Sequence, residues 1–222
     1  MYIFIFRRDL RLVDNNCLNK LIERNEVIIP IFILDPEQIN YETNKYFSHK
    51  SVQFMYESLI NLDEDIKSLQ GNGLYLFYGS VINVLVDILE NNINIKGIFL
   101  NEDYTPYSKF RDDQIKQKIC KVYQIEFYSY NDVSLYDFKI IKTKKDEPYK
   151  RFKWFYEKTK SMIVNQPLDI TRNIKSKQLF KSQTTLNSSY LYNFKDFRKL
   201  FYYSGDSIVK GGRNNGLIQM NV

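Results

Sequence analysis

An α/β fold, a doubly wound five-stranded parallel sheet in the order 3-2-1-4-5 with helices on both faces, is predicted for residues 1–130 by three observations. Apolar runs alternate strictly with segments of helical period, which calls for parallel strands joined by right-handed crossovers. The runs at 2–6 and 27–34 are almost wholly apolar and rich in β-branched and aromatic residues, as in strands covered on both faces. Two unusually polar loops, 7–14 and 101–108, follow the first and fourth runs. This strand order brings them together at the crevice where open α/β sheets bind ligands.

The first strand, 2–6, is too short for a signal peptide and is followed by arginines, so the chain reads as intracellular, in cytoplasm or nucleus, with a virion also compatible. Further strands are expected at 27–34, 74–78, 95–100 and 125–128. Helices are expected at about 15–25, 47–70, 80–92 and 107–123. The second carries Phe54, Leu59, Leu62, Ile66 and Leu69 at near-helical spacing and runs toward Gly71 and Gly73. The third follows Gly79-Ser80, a plausible cap. After 130 the alternation stops, and residues 131–222 read as a mostly helical or irregular connector. Within it lie a basic turn at 142–145, an aromatic helix at 149–162, a polar linker at 166–191, a short amphipathic piece at 194–203, and a helix begun after Gly211-Gly212.

Of the 222 residues 44% are hydrophobic and 16% aromatic, the composition of a globular chain. No run approaches the roughly 18 to 20 apolar residues of a membrane helix. Cys17 and Cys120 stand far apart with no second thiol near either, so a metal site or redox pair is not expected and both read as buried or idle. The single histidine, His49, near a helix start, reads as structural. Charge is uneven: residues 1–138 hold 14 Lys+Arg against 20 Asp+Glu, and residues 139–222 hold 18 against 6. The basic back half suits nucleic acid or an acidic partner, or is simply a solvated lysine face.

The loop Phe6-Arg7-Arg8-Asp9-Leu10-Arg11-Leu12-Val13-Asp14-Asn15 has five charged residues in ten. Beside it, Asn101, Glu102, Asp103 and Tyr104 complete a site of guanidinium forks, carboxylates, an amide and an aromatic face, suited to a flat polar cofactor. Arg7, Arg8, Asn101, Glu102, Asp103 and Tyr104 are the candidate cofactor residues. Asp9, Arg11 and Asp14 are expected to form a salt-bridged loop, with Asp14 or Asn15 capping the first helix, and Arg111 and Asp112 to pair on the fourth. Hydrolysis is poorly served: the loops hold no histidine, no nucleophile beside a base, and no glycine-rich phosphate cradle. No catalytic residue is therefore assigned.

The opening loop resembles the first motif of the DNA photolyase and cryptochrome family. The resemblance continues in order through Gln53-Phe54 to Leu62, Asn101 to Tyr107 with Arg111-Asp112, Pro148-Tyr149-Lys150-Arg151-Phe152 and Phe155, and Gly211-Gly212-Arg213 with Leu217. It implies an N-terminal antenna domain holding a folate or deazaflavin, and a connector that ends where the family's FAD-binding helical domain begins. That helical domain, with its FAD contacts, electron-relay tryptophans and lesion pocket, has no counterpart in this sequence, and Trp154 alone does not replace a relay. The resemblance thus implies the front part of a split deoxyribodipyrimidine photo-lyase, not catalytically competent alone. FAD and damaged DNA would be reached through a separately encoded FAD-binding chain, on which the connector aromatics would pack. The alternatives are a stand-alone chromophore or nucleotide module, or a truncated remnant. Choice among cyclobutane-dimer repair, (6-4) repair and cryptochrome signalling lies in the other domain.

Overall fold

The computed structural model describes residues 1–92, 94–164, 166–169, 171–181, 186–205, 207 and 209–220, apart from the side chains of 172 and 176. Strand β1 (Tyr2–Phe6) lies at the sheet's centre, paired in parallel with β2 (Ile28–Leu34) on one side and β4 (Gly97–Asn101) on the other. β3 (Tyr75–Tyr78) extends the sheet beyond β2, and β5 (Glu126–Tyr130) beyond β4, all in parallel. This is the expected 3-2-1-4-5 order, each strand within about two residues of its predicted bounds. Pro30 is tolerated inside β2 because pairing with β3 begins only at Ile31.

The sheet has six strands, not five. β6 (Leu191–Tyr192) runs antiparallel along β3, with Leu76 opposite Tyr192 and Phe77 opposite Leu191. It comes from the end of the stretch expected to be a polar linker, whose residues 170 and 182–185 lie outside the described set. Two residues have no readable period, and they exist as a strand because β3 presents an open edge to them.

Period-two alternation along β1 sorts its side chains between two cores. Tyr2, Phe4 and Phe6 face a layer formed by α1 (Asn16–Ile22) and α3 (His49–Ser68). Ile3 and Ile5 face α4 (Val81–Asn91) and the helix after β4. That last helix is not one regular rod: α5 (Pro106–Gln114) passes into a π-helical turn at Ile115–Cys120, which seats Ile115, Ile119 and Cys120 in the second core. A short helix, α2 (Pro36–Ile39), went unforeseen although Asp35-Pro36 carries its signature. The Asp35 carboxylate accepts from Glu37 N at 3.0 Å, and Pro36 needs no partner in the first turn.

The connector supplies α6 (Phe152–Thr159), α7 (Thr171–Ser176), α8 (Phe194–Phe197) with a 3-10 turn at Arg198–Leu200, and α9 (Arg213–Gln219). Ile174, Leu179, Phe180, Phe197 and Phe201 enter the first core, and Leu186 the second. Ile28 N donates to the Leu179 carbonyl at 2.8 Å, so connector and sheet share backbone bonds as well. Gln53 of α3 exchanges two hydrogen bonds with the Ser204 backbone, at 3.0 and 2.8 Å. Gly211 N donates to Glu57, and a Cβ there would collide with the Phe54 carbonyl, so only glycine lets the chain lie against α3. His49 opens α3 and its Nδ1 accepts from Tyr202 N at 3.0 Å, the structural role expected of it. Among the described residues no helix is long and apolar enough to cross a membrane.

Candidate functional site

The loops after β1 and β4 meet at the carboxyl edge of the sheet through a buried polar network. Asp9 Oδ2 accepts from Asn101 Nδ2 at 2.6 Å and Asn15 Nδ2 at 3.0 Å, while Oδ1 accepts from Arg7 N at 2.9 Å. Asn101 Nδ2 also donates to Asn15 Oδ1 at 2.8 Å, and its Oδ1 accepts from Cys17 N at 3.1 Å. Asn15, not Asp14, caps α1, accepting from Leu18 N at 3.1 Å. Asp9, Asn15 and Asn101 are all buried, and this closed set of bonds welds the two loops together.

The expected ion pairing of Arg11 with Asp9 and Asp14 does not form. Arg11 reaches Asp132, in the loop after β5, at 2.8 Å, and donates to the Asp14 carbonyl at 2.7 Å. Asp14 instead takes a left-handed conformation (φ 55°), and its N–H donates to the Leu168 carbonyl at 2.8 Å. Asp132 was missed, although it occupies the same place after β5 that the recognised loops occupy after β1 and β4. Burial pushes its carboxyl pKa up, partly opposed by the Asn16 N–H and by Arg11.

Two arginines share one carboxylate here. Arg7 grips Asp112 with both Nη atoms, at 2.6 and 3.1 Å, and donates to the Asn101 carbonyl. Arg111 touches the same Asp112 only through Nε at 3.4 Å, and its buried Nη2 has no partner among the described residues. Burial, then the nearby Arg7, draw the Arg111 pKa down, so an anion placed here would be favoured. Arg111 lies over the Tyr107 ring at 5.6 Å, and the Tyr107 hydroxyl donates to Asp35 at 2.9 Å. Burial and that hydrogen bond push the Tyr107 phenol up to about 12.

A cavity of about 480 Å³ opens over the ends of β1, β2 and β4. Phe6, Ile33 and Leu100 are among its apolar lining, and Arg7, Arg8, Asp103, Tyr107 and Arg111 contribute its polar wall. A second cavity, about 240 Å³, shares Arg7, Arg8 and Asp103 and adds Arg11, Glu102 and Asp132. Only the first falls within the ~300–1,000 Å³ of ordinary ligand sites. Arg8 is 75% exposed and, among the described residues, held only by a 3.4 Å contact to Asp103, which leaves it available. Burial raises the Asp103 pKa, but the Thr105 N–H, the Ser108 hydroxyl and Arg8 bring it below the carboxylate norm.

The six expected cofactor residues therefore part company. Arg7, Arg8 and Asp103 line both cavities. Asn101 borders the smaller cavity only, and is bonded at its side-chain nitrogen, side-chain oxygen and carbonyl. Glu102 borders the smaller cavity and is held by Lys139 at 2.9 Å. Tyr104 lies outside both, its hydroxyl 3.0 Å from Asn131 Oδ1 and its ring on Phe138. Both thiols are buried: burial pushes Cys17 far up and Cys120 up to about 12, so neither is poised as a nucleophile. An apolar floor, an aromatic ring and a buried guanidinium paired only weakly with Asp112 fit a flat cofactor bearing an anionic or carbonyl edge.

The DNA photolyase family model matches residues 2–171. The chain belongs to this family. A deoxyribodipyrimidine photo-lyase of Buchnera aphidicola (subsp. Acyrthosiphon pisum) is 28% identical over 167 residues, 72% of this chain and 33% of that protein. A cryptochrome-1 of Macaca fascicularis is 28% identical over 193 residues, 83% of this chain and 30% of that protein. Among solved photolyase structures, that of Sulfolobus tokodaii superposes with a TM-score of 0.74 at 30% identity, over 100% of this chain and 46% of that one. That archaeal photolyase was solved with two FAD molecules and described as implicating a novel light-harvesting cofactor. The chain thus spans about a third of the length of these curated relatives. Its α/β architecture is that of the photolyase N-terminal domain.

Proposed function

We propose that this chain is the antenna part of a split DNA photolyase, holding a flat anionic chromophore in the 480 Å³ cavity and supporting repair of pyrimidine dimers through an FAD-binding domain on a separate chain. The observation that carries the antenna reading is Arg111, which lines that cavity and whose Nη2, buried just behind the wall, has no partner among the described residues. An unsatisfied buried donor costs on the order of 1–3 kcal/mol, a cost that an anionic ligand edge relieves. Arg8, 75% exposed and held to Asp103 only at 3.4 Å among the described residues, is a second cation there, and the Tyr107 ring an aromatic contact. The bound chromophore would supply light absorption; the chain's residues bind and orient it and exclude water from one face. The photolyase part of the reading is supported by family membership. Folate, deazaflavin and flavin all have the required shape and charge.

The test has two arms. The purified chain is incubated with each chromophore and its near-ultraviolet and visible spectrum followed; Arg111→Met should weaken retention by about tenfold or more, the scale of one charge-assisted hydrogen bond. Co-expression with an FAD-binding photolyase domain is then assayed for light-dependent repair of cyclobutane dimers. Retention without association or repair would leave a stand-alone chromophore module. Neither retention nor association would reduce the chain to a remnant.

A further inference from the structure

Outside both cavities, the turn at 143–148 and α6 enclose an open groove of about 640 Å³. Tyr149 and Trp154 provide its aromatic surface, Lys150, Arg151 and Lys158 its cations, and Glu147 and Glu157 its carboxylates. Glu157 is taken by Lys160 at 2.5 Å, whereas Lys150, Arg151 and Lys158 form no ion pair among the described residues. Residues 142–160 as a whole carry eight basic against three acidic side chains. Trp154 is 55% exposed.

A solvated lysine face accounts for the charge but not for a half-exposed indole beside unpaired cations, its ring met only by Lys153 Nζ at 5.5 Å, a long side chain that a stacking base displaces. Bases stack on aromatic faces irrespective of their identity, and phosphates seek unpaired lysine and arginine; together these make a platform for a single strand. A duplex keeps its base faces stacked inside and offers them to no ring. We propose that this groove binds single-stranded DNA, with a base stacked on Trp154 and the phosphates held by Lys150, Arg151 and Lys158. The site borders neither cavity at the sheet edge and stands independently of any chromophore there.

Trp154 is the single tryptophan and reports directly on the groove. The 222-residue chain is titrated at low salt with a short oligothymidylate and, in parallel, with the same strand in a duplex. The single strand should quench Trp154 emission, and its binding constant should fall with salt at a log–log slope of roughly −2, about −0.7 for each of three neutralised phosphates. With a fluorescent oligonucleotide read by anisotropy, Trp154→Ala should weaken binding by about tenfold. The double change Lys150→Gln with Lys158→Gln should cut the salt slope to roughly −0.7. Phe152→Ala, about 200° round the helix from Trp154 and 77% exposed, should leave binding unchanged. Duplex binding as tight as single-strand binding overturns the proposal. So does a Trp154→Ala variant that binds normally, or a Phe152→Ala variant equally impaired. Quenching by an FAD-binding photolyase domain but not by the oligonucleotide also overturns it, in favour of a protein occupant.

Discussion

Strand β1 and helix α6 use the same kind of side chain to opposite ends. Tyr2, Phe4 and Phe6 on β1 vanish into the first core, while Phe152, Trp154 and Tyr156 on α6 stand largely in solvent. β1 has a strand on either side and a helical layer over each face, so each ring is surrounded. α6 buries only Thr159 fully, and its rings find chiefly each other, as in the stack of Phe152 on Tyr156 at 5.9 Å between centroids. Aromatic content therefore reports a core only where the backbone supplies two covered faces. On a lone helix beside unpaired lysines it reports a surface.

The sharpest way to break this comparison is to truncate one ring from each region. Phe4→Ala should cost about 3–5 kcal/mol, measured from urea midpoints, because the sheet leaves no room for collapse around the void. Asp9→Ala comes next, at about 2–3 kcal/mol, since it removes the shared acceptor of three N–H groups, on Arg7 N, Asn15 Nδ2 and Asn101 Nδ2. Were that variant to unfold like the parent, the two loops would be held by packing and not by the polar network.

A smaller effect is expected from Tyr2→Phe, and it depends on pH. Burial, and then the hydrogen bond its hydroxyl donates to Glu126 at 2.8 Å, push the Tyr2 phenol from 10.0 up to about 12. A raised folded pKa contributes stability that is complete below about pH 10 and disappears as pH climbs through about 12. The parent's advantage over the variant should shrink across that window in denaturation series at fixed ionic strength; a constant difference would contradict the assignment. The smallest effect belongs to α6: Phe152→Ala should change stability by no more than about 0.5 kcal/mol.

Much of the site was legible in outline. Arg7, Arg8 and Asp103 do line the cavities, and the two loops do meet, because strand order alone brings the ends of β1 and β4 together. Asp132, Asp35 and the buried face of Arg111 were not legible. Each acquires its role from a partner 70 or more residues away: Arg11 for Asp132, Tyr107 for Asp35, and Arg7 across the shared Asp112 for Arg111. Local pattern carries no information about such pairs. The same holds for β6, where the open edge of β3 decided what two residues became.

By itself the sequence determined the sheet order, the principal helices and the family, since apolar runs and collinear motifs are properties of the chain read in order. Only the tertiary structure decided that Asn101 is a strut between loops, that Arg111 keeps a buried donor without a partner among the described residues, and that connector residues Phe180 and Phe197 belong to the domain's core. Burial and pairing depend on what the rest of the chain brings to within a few ångströms, and that becomes defined only once the chain has folded.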